Sequence, residues 1–459
     1  MSRTLTVRHL VLFAVEDGII LLALLAAMTI RFRGALPEVL GVSQEWGRIA
    51  VVVGVTQLSL YYHDLYELRV LNSRRELFIG LLQALGVASI VLAAVYYLYP
   101  GLILGRGVFA LFVGILLAVV VVWRLAYTAV LSSRGLSVNI LLVGGGALAL
   151  QIYGETRKRK TLGFQVVGCL VADPEADAAE GLPPVLGGFS DLPNLAERSE
   201  IDRYVVAISE RRGRFPVREL MELRIAGNRV DDGCQFYEEL TGKMLVEHLR
   251  PSQLIFGEGF VKSRSTVALK RLVDFAASAL GLILSAPVWL VVPLLIKLDS
   301  KGPVFYRQER VGAQGRTFQV LKFRSMTEDA EQHSGAVWAQ AGDARVTRVG
   351  KIMRRTRIDE IPQLLNVLKG EMSFVGPRPE RPVFVQQLAE QIPYYVERHS
   401  VKPGVTGLAQ VKYPYGATVE DAVEKLRFDL YYLKKMGLWM DLSIIFETVK
   451  VVLFGKGAR

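Results

Sequence analysis

Cysteine is nearly absent from this chain, with two residues, Cys169 and Cys234, in 459. That excludes a disulfide-stapled scaffold and fits a reducing compartment. Charged residues are also scarce, at 22% against 51% hydrophobic. A chain this apolar is neither disordered nor an ordinary soluble enzyme of its size. Lysine is missing altogether from residues 1–131, where ten arginines stand among long apolar runs. The net charge of +11 is carried by residues 262–459 alone, because +3 in residues 1–131 and −3 in residues 132–261 cancel. The sequence therefore predicts a membrane protein of mixed class in three unlike pieces, 1–131, 132–261 and 262–459.

Four apolar segments fill the first piece: His9–Ile30, Gly47–Tyr62, Leu77–Leu98 and Val108–Val130. Three come close to the ~20 residues that cross a bilayer core, so a four-helix transmembrane bundle is expected. The first is not read as a cleavable signal peptide, since a second apolar segment follows it. Loop arginines are nearly balanced, with Arg3, Arg8, Arg69, Arg74 and Arg75 on one side and Arg31, Arg33, Arg48 and Arg106 on the other. The basic run Arg157–Lys160, with the chemistry below, favours both ends of the bundle in the cytosol. Glu16 and Asp17 fall inside the first segment. Acids there are either functional, or solvated near headgroups or bonded to a neighbouring helix.

In the middle piece, residues 138–146 (VNILLVGGG) read as a buried strand entering a glycine turn, and the residues after it as a helix. Gly144, Gly146 and Ala149 fit G-x-G-x-x-[GA], a turn that brings backbone and a helix N-terminus to a pyrophosphate. The alternative is a turn kept only for packing. Further strands are read in FQVVGCLVAD, ending at Asp173, in RYVVAIS and in QLIF, which makes a Rossmann-like α/β domain. The Tyr-x-x-x-Lys of short-chain dehydrogenases and epimerases is missing here, since Tyr153 is followed by Arg157. The Tyr431…Lys435 match lies in another domain.

The basic piece opens with an apolar run, Phe275–Ile296, interrupted by Pro287 and Pro293. A fifth crossing would strand everything after it on the far side. A re-entrant helix over about 271–297 is expected instead, broken at Pro287, with Ser285 satisfying freed carbonyls; an ordinary fifth span is the alternative. Two β-rich stretches, GPVFYRQERVG (302–312) and FQVLKFRSM (318–326), carry Arg307, Arg310, Lys322 and Arg324. Lys322 and Arg324 alternate onto one strand face, and the four together suggest a diphosphate cradle, with lipid headgroups as competitor. In residues 354–380, Pro362 and Gly370 bracket a short helix. Asp359 and Glu360 then sit at its N-terminus, just after Arg354, Arg355 and Arg357. Asp359 is either a helix cap or a carboxylate that attacks phosphorus or holds Mg²⁺. Arg378, fixed between Pro377 and Pro379, suits a bidentate phosphate contact. The stretch WMDLSIIFETVKVVLFG (439–455) is an amphipathic helix for the core or the interface, with Tyr431, Tyr432 and Trp439 expected at headgroup level.

KFRSM, the Asp-Glu pair followed by IPQLLNVLKGEMSFVGPRPE, and KPGVTGLAQV (402–411) resemble the bacterial sugar transferase family. These are the monotopic polyprenol-phosphate phosphoglycosyl transferases, and the motifs span about residues 265–459. The apolar helices and Rossmann-like unit are similar to those of its large members, such as undecaprenyl-phosphate glucose or galactose phosphotransferases of exopolysaccharide, capsule and O-antigen synthesis. The resemblance implies a bacterial inner-membrane, multi-pass protein whose catalytic domain lies on the cytosolic face. It implies attack by Asp359 on the β-phosphate of a UDP-sugar with release of UMP, then transfer of the phosphosugar to undecaprenyl phosphate. Glu360 would assist as base or support, Mg²⁺ would bridge Asp359 and the diphosphate, and Lys322, Arg324, Arg357 and Arg378 would be phosphate ligands. The family's helix break carries Ser-Pro, whereas Ala286 precedes Pro287 here and Ser285 stands one position earlier. Membrane lipids, downstream glycosyltransferases and a second copy in a homodimer complete the expected partners; nucleic acid is not among them. The alternatives are a membrane-anchored NAD-dependent nucleotide-sugar dehydratase or epimerase and a non-enzymatic assembly factor. The missing Tyr-x-x-x-Lys argues against the first and the intact acid pair against the second.

Overall fold

The computed structural model describes residues 3–32, 43–63, 65, 74–131, 137–159, 162–174, 180–196, 201–208, 215–327, 343, 345–413, 416 and 418–454. These form two compact units, Met1–Thr241 and Gly242–Arg459. The first contains helices α1 (Arg3–Phe32), α2 (Ser43–Tyr62), α3 (Arg74–Leu98) and α4 (Arg106–Leu131). Phe13–Phe32, Phe78–Leu98 and Gly107–Arg124 are long and apolar enough to cross a membrane. The second apolar segment forms α2, which is not among them; its Thr56, Gln57 and Ser59 are buried. All four helices feed one core, with Leu24, Val52, Leu85 and Phe112 among its members.

Glu16 and Arg124 are both fully buried in this bundle. Nε and Nη2 of Arg124 donate to the two carboxylate oxygens of Glu16 at 2.7 and 2.8 Å. The third arm, Nη1, donates to the carbonyl of Leu65. Glu16 is thus the acid bonded to another helix, in the bidentate geometry that suits a guanidinium and a carboxylate. Asp17, its neighbour, is exposed. Arg33, Arg69 and Lys160 lie outside the described residues, as do the side chains of Arg3, Arg8, Arg74, Arg75 and Arg106.

The α/β part of this unit has strands β1 (Val138–Val143), β2 (Phe164–Val171), β3 (Val185–Gly188), β4 (Arg203–Val206) and β5 (Val230–Asp232). They form one parallel sheet in the order β3-β2-β1-β4-β5. Helix α5 (Ala147–Lys158) follows β1 with Gly146 as its N-cap. Cys169 and Cys234 are buried thiols that form no disulfide. The expected strand QLIF is helical instead, over Pro251–Ile255, with Pro251 in the first turn, where its missing N–H is no loss. Residues 242–261 belong with the C-terminal unit, not the middle piece, because Met244, Val246 and Leu249 are buried in a core shared with Leu426 and Leu430.

After that segment the second unit continues with α6 (Arg264–Leu284) and α7 (Ala286–Asp299), bent by 60° at Ser285. The break therefore precedes Pro287 instead of falling on it. A proline ring clashes with the carbonyl four residues back, so the first helix must end before it, and Pro287 sits in the opening turn of α7. Ser285 Oγ donates to the carbonyl of Leu282 at 3.2 Å and accepts from Trp289 Nε1 at 3.2 Å. The polar start of α6 is fastened to the unit. Lys270 Nζ donates to Asp441 at 2.8 Å, to the Tyr432 hydroxyl at 3.0 Å and to the Val375 carbonyl at 2.9 Å. Asp274 accepts from Ser373 Oγ and the Phe374 amide, each at 2.9 Å. Beyond Asp274 the pair exposes Phe275, Ile283, Leu284, Leu290, Leu294 and Leu298.

The rest of this unit includes the antiparallel pair β6 (Phe305–Val311) and β7 (Thr317–Phe323), then α8 (Arg348–Thr356), α9 (Gln363–Lys369), β8 (Ser373–Val375), α10 (Pro382–Gln391), β9 (Gly404–Thr406), α11 (Val419–Lys435) and α12 (Leu438–Phe454). Tyr431 and Tyr432 on α11 are core residues, contrary to the expectation of a headgroup position. Their helix packs its apolar face inward, and the Tyr432 hydroxyl is taken up by Asp441 at 2.8 Å. Trp439 is exposed, with Leu442, Phe446 and Val449, while Asp441 and Ile444 on α12 are buried. The helix thus serves the core on one face and leaves an apolar face open.

Candidate active site

Asp359 and Glu360 lie in a single 3₁₀ turn, Ile358–Glu360, between α8 and α9. Arg357 closes α8 in a left-handed conformation (φ 60°), a cost of roughly 1 kcal/mol for a residue with a Cβ. That reversal returns its guanidinium to within 3.5 Å of Glu360 Oε2. Helix α9 ends on Gly370 (φ 88°), as the sequence predicts for a glycine C-cap. Asn366 docks α9 on β7, accepting from the Leu321 amide at 3.0 Å and donating to the Gln319 carbonyl at 2.8 Å. This docking carries Lys322, the next residue of β7, onto the acid turn.

The two acids have different surroundings. Glu360 Oε1 accepts from Arg378 Nη2 at 2.8 Å and from Lys322 Nζ at 3.1 Å. Burial would raise its pKa, but the charges of Arg378, Lys322 and Arg357 prevail and hold it well below the usual carboxylate range. Asp359 is equally buried, at 8% exposure, and its side chain makes no hydrogen bond or ion pair among the described residues. Burial first, and the Glu360 charge second, push its pKa up to about 6. Lys322 is lowered by burial, against the pull of Glu360. One carboxylate is therefore charge-paired and fixed, and the other is desolvated and unbonded among the described residues.

Arg378 is aimed by its loop. Four successive carbonyls are each held from a different place: Pro377 by the Gly404 amide at 2.9 Å, Arg378 by Arg398 Nη2 at 3.1 Å, Pro379 by Arg310 Nη1 at 3.1 Å and Glu380 by the Val311 amide at 2.9 Å. Arg398 is 4% exposed and pairs with Asp429 at 2.7 Å and the Tyr395 hydroxyl at 2.6 Å. Close approach of the two strands behind this loop requires glycine, since a Cβ on Gly404 would lie 2.1 Å from the Gly376 nitrogen.

Of the basic residues expected at phosphate, Lys322, Arg357 and Arg378 converge on Glu360. Arg324 does not. The strand ends at Phe323, and Arg324 turns away to donate to the carbonyls of Ser300 and Lys301, both at 2.8 Å. The alternation that puts Lys322 and Arg324 on one face ceases where the strand does. Arg310 supports the loop, and Arg307 is exposed. Arg398 and Asp429 were not legible beforehand, since no local pattern links positions 378, 398 and 429. Among the described residues no group of three or more His, Cys, Asp or Glu is placed to hold a metal. In the other unit, Gly144 (φ 127°) could not carry a Cβ, which would lie 2.7 Å from the Ala207 carbonyl. Packing against the end of β4 therefore accounts for that glycine; Gly146 caps α5, and Asp173 is exposed. Tyr431 and Lys435 lie on α11, which belongs to the second unit, whereas the glycine turn belongs to the first.

Residues 265–455 match the family described as bacterial sugar transferase, and residues 62–220 match a CoA-binding domain. A UDP-N-acetylgalactosamine-undecaprenyl-phosphate N-acetylgalactosaminephosphotransferase of Aeromonas hydrophila is 47% identical over 225 residues, 49% of this chain and 52% of the relative. A UDP-glucose:undecaprenyl-phosphate glucose-1-phosphate transferase of Klebsiella pneumoniae is 37% identical over 331 residues, 70% of this chain and 69% of the relative. The protein of that same name from Escherichia coli (strain K12) is 34% identical over 340 residues, 72% of this chain and 70% of the relative. This chain thus spans about half the length of the first of these relatives and just over two thirds of the other two.

Proposed function

This chain belongs to the bacterial sugar transferase family, and we propose that it transfers a sugar 1-phosphate from a UDP-sugar to undecaprenyl phosphate, releasing UMP. The observation that carries the reading is the split acid pair, a fixed Glu360 beside a desolvated, unbonded Asp359. A carboxylate oxygen of Asp359 attacks the β-phosphorus, and the bond from that phosphorus to the bridging oxygen of UMP breaks. An oxygen of the polyprenyl phosphate then attacks the same phosphorus, the aspartyl–phosphate bond breaks, and the carboxylate is restored. Lys322, Arg357 and Arg378 stand around the acids, where a diphosphate can take up their donors. Asp359 also suits Mg²⁺, which binds through one or two carboxylates and substrate phosphates instead of an all-protein cage, and which would neutralise charge on the diphosphate. The dehydratase alternative finds no support, because the relatives carry transferase names.

The same reading makes α6–α7 a re-entrant pair in the bacterial inner membrane, with the catalytic unit on the cytosolic face. Helix α7 has 14 residues, about 21 Å at ~1.5 Å per residue, short of the ~30 Å apolar core. The part of α6 beyond its fastening at Asp274 is shorter still. A lipid-linked product handed to downstream glycosyltransferases, and a homodimeric assembly, belong to this reading as well. The test offers purified protein a panel of UDP-sugars with Mg²⁺ and undecaprenyl phosphate, and quantifies UMP and UDP separately. Lipid-dependent UMP from one sugar is the expected result. UDP in its place would mean ordinary glycosyl transfer and would overturn the role given to Asp359.

A further inference from the structure

We infer that the exposed face of α8 binds the phosphates of an anionic phospholipid surface. Arg348, Lys351, Ile352 and Arg355 are all exposed and fall at i, i+3, i+4 and i+7, which is one face of the helix. Ile352 is 65% exposed in the middle of the three cations. Arg348, Lys351 and Arg355 make no ion pair or side-chain hydrogen bond among the described residues. Apolar side chains flanked by unpaired cations are suited to the boundary between an acyl layer and anionic headgroups.

Where α8 begins supports that occupant. Its amide at Val349 donates to Asp299 Oδ2 at 2.9 Å, and Asp299 is the last residue of α7. Val349 and Met353 pack the opposite face of α8 against Val292 and Ile296 of α7. The helix therefore starts where the apolar pair ends, after the exposed Leu294 and Leu298 and the exposed Lys297. A long basic side chain at that level can keep its stem among apolar groups and its charge at phosphate. The far end of α8 runs through Arg357 into Asp359 and Glu360, so headgroup binding fixes the height of the acid turn above the bilayer. The inference rests on the proposed placement of α6–α7 in the membrane.

The test uses the full chain in nanodiscs of phosphatidylcholine alone or phosphatidylcholine with phosphatidylglycerol. A fluorophore on Ile352→Cys is read for quenching by a headgroup-level quencher lipid; Cys169 and Cys234, being buried, stay unlabelled. Quenching is expected to be stronger with phosphatidylglycerol than with phosphatidylcholine alone. That difference should be lost at high salt and in the Arg348→Gln/Lys351→Gln/Arg355→Gln variant, since each basic residue near such a surface contributes about fivefold. UMP release, measured in parallel, is expected to rise with phosphatidylglycerol in the unsubstituted protein and not in the triple variant. Equal quenching in both discs, or a triple variant that raises KM for the UDP-sugar equally in both discs and in detergent, would overturn the inference; the second result would assign these cations to substrate. Charge-dependent quenching without UMP from any sugar would uphold the lipid surface and sink the proposed reaction, so the two failures are told apart.

Discussion

Replacing Asp359 by asparagine is expected to separate stability from turnover. Its carboxyl is raised to about 6 from an ordinary 3.8, so the ionised form is penalised in the folded protein. That penalty is in force above about pH 6 and absent below the ordinary value. Asp359→Asn should therefore abolish turnover while raising stability at pH 7 by about 1–3 kcal/mol, read as Tm in buffer free of divalent cations. Retained turnover would exclude a carboxylate nucleophile. Burial, then the Arg398 charge, lowers His399 to about 4. A depressed histidine makes the unfolded state bind the proton first, so its share of stability is present above pH 6.5 and lost as pH falls toward 4. Asp429, raised to about 6 by burial, acts in the opposite direction, so the informative quantity is a difference. Tm of the wild type should fall relative to His399→Gln across pH 6.5 to 4; parallel curves would contradict it. At this scale the juxtaposition of Asp359, Glu360 and Arg378 was legible because they stand in a continuous motif, whereas the direction of Arg324 was not, since it depends on where a strand stops.

Elements convey these effects. The loop from Pro377 to Glu380 is clamped at four carbonyls, one of them by the buried guanidinium of Arg398 and one by the half-buried guanidinium of Arg310. Arg398 is then a positioning residue acting through Arg378. Arg398→Lys should lower kcat/KM by about tenfold or more, given what a small misplacement costs. In an Arg378→Gln background the same change should cost almost nothing in kcat/KM while still lowering Tm; additive losses in both would make Arg398 merely structural. In the helical bundle, Arg124→Met leaves Glu16 buried and unpaired and should destabilise by about 3–5 kcal/mol, whereas the Glu16→Leu/Arg124→Met double variant should recover most of that loss. Thermal unfolding of the purified variants checks both. The apolar segments announced α1 to α4 by length and composition. They could not show that α2 buries Thr56, Gln57 and Ser59 inside the bundle, because burial is set by neighbours distant in sequence.

For the whole molecule, the membrane reading makes one topological demand. Cysteines placed at Arg264 and Ser300, which flank α6–α7, should label from the same side of sealed vesicles; labelling from opposite sides would make the pair an ordinary span. The parallel sheet was foreshadowed by its strand–turn–helix pattern, whereas the extent of the catalytic unit was not. Residues 242–261 carry no motif, and only the burial of Met244, Val246 and Leu249 reveals which core they serve. A last consequence concerns time. Glu16 and Arg124 stand 108 positions apart. At a synthesis rate of about 5–20 residues per second, the acid leaves the ribosome roughly 5–20 s before the base that neutralises it. Throughout that interval the first helix is a poor passenger for the bilayer despite its apolar length. Its full commitment is expected to wait for the fourth, which would couple the delivery of the N-terminal helices through one ion pair.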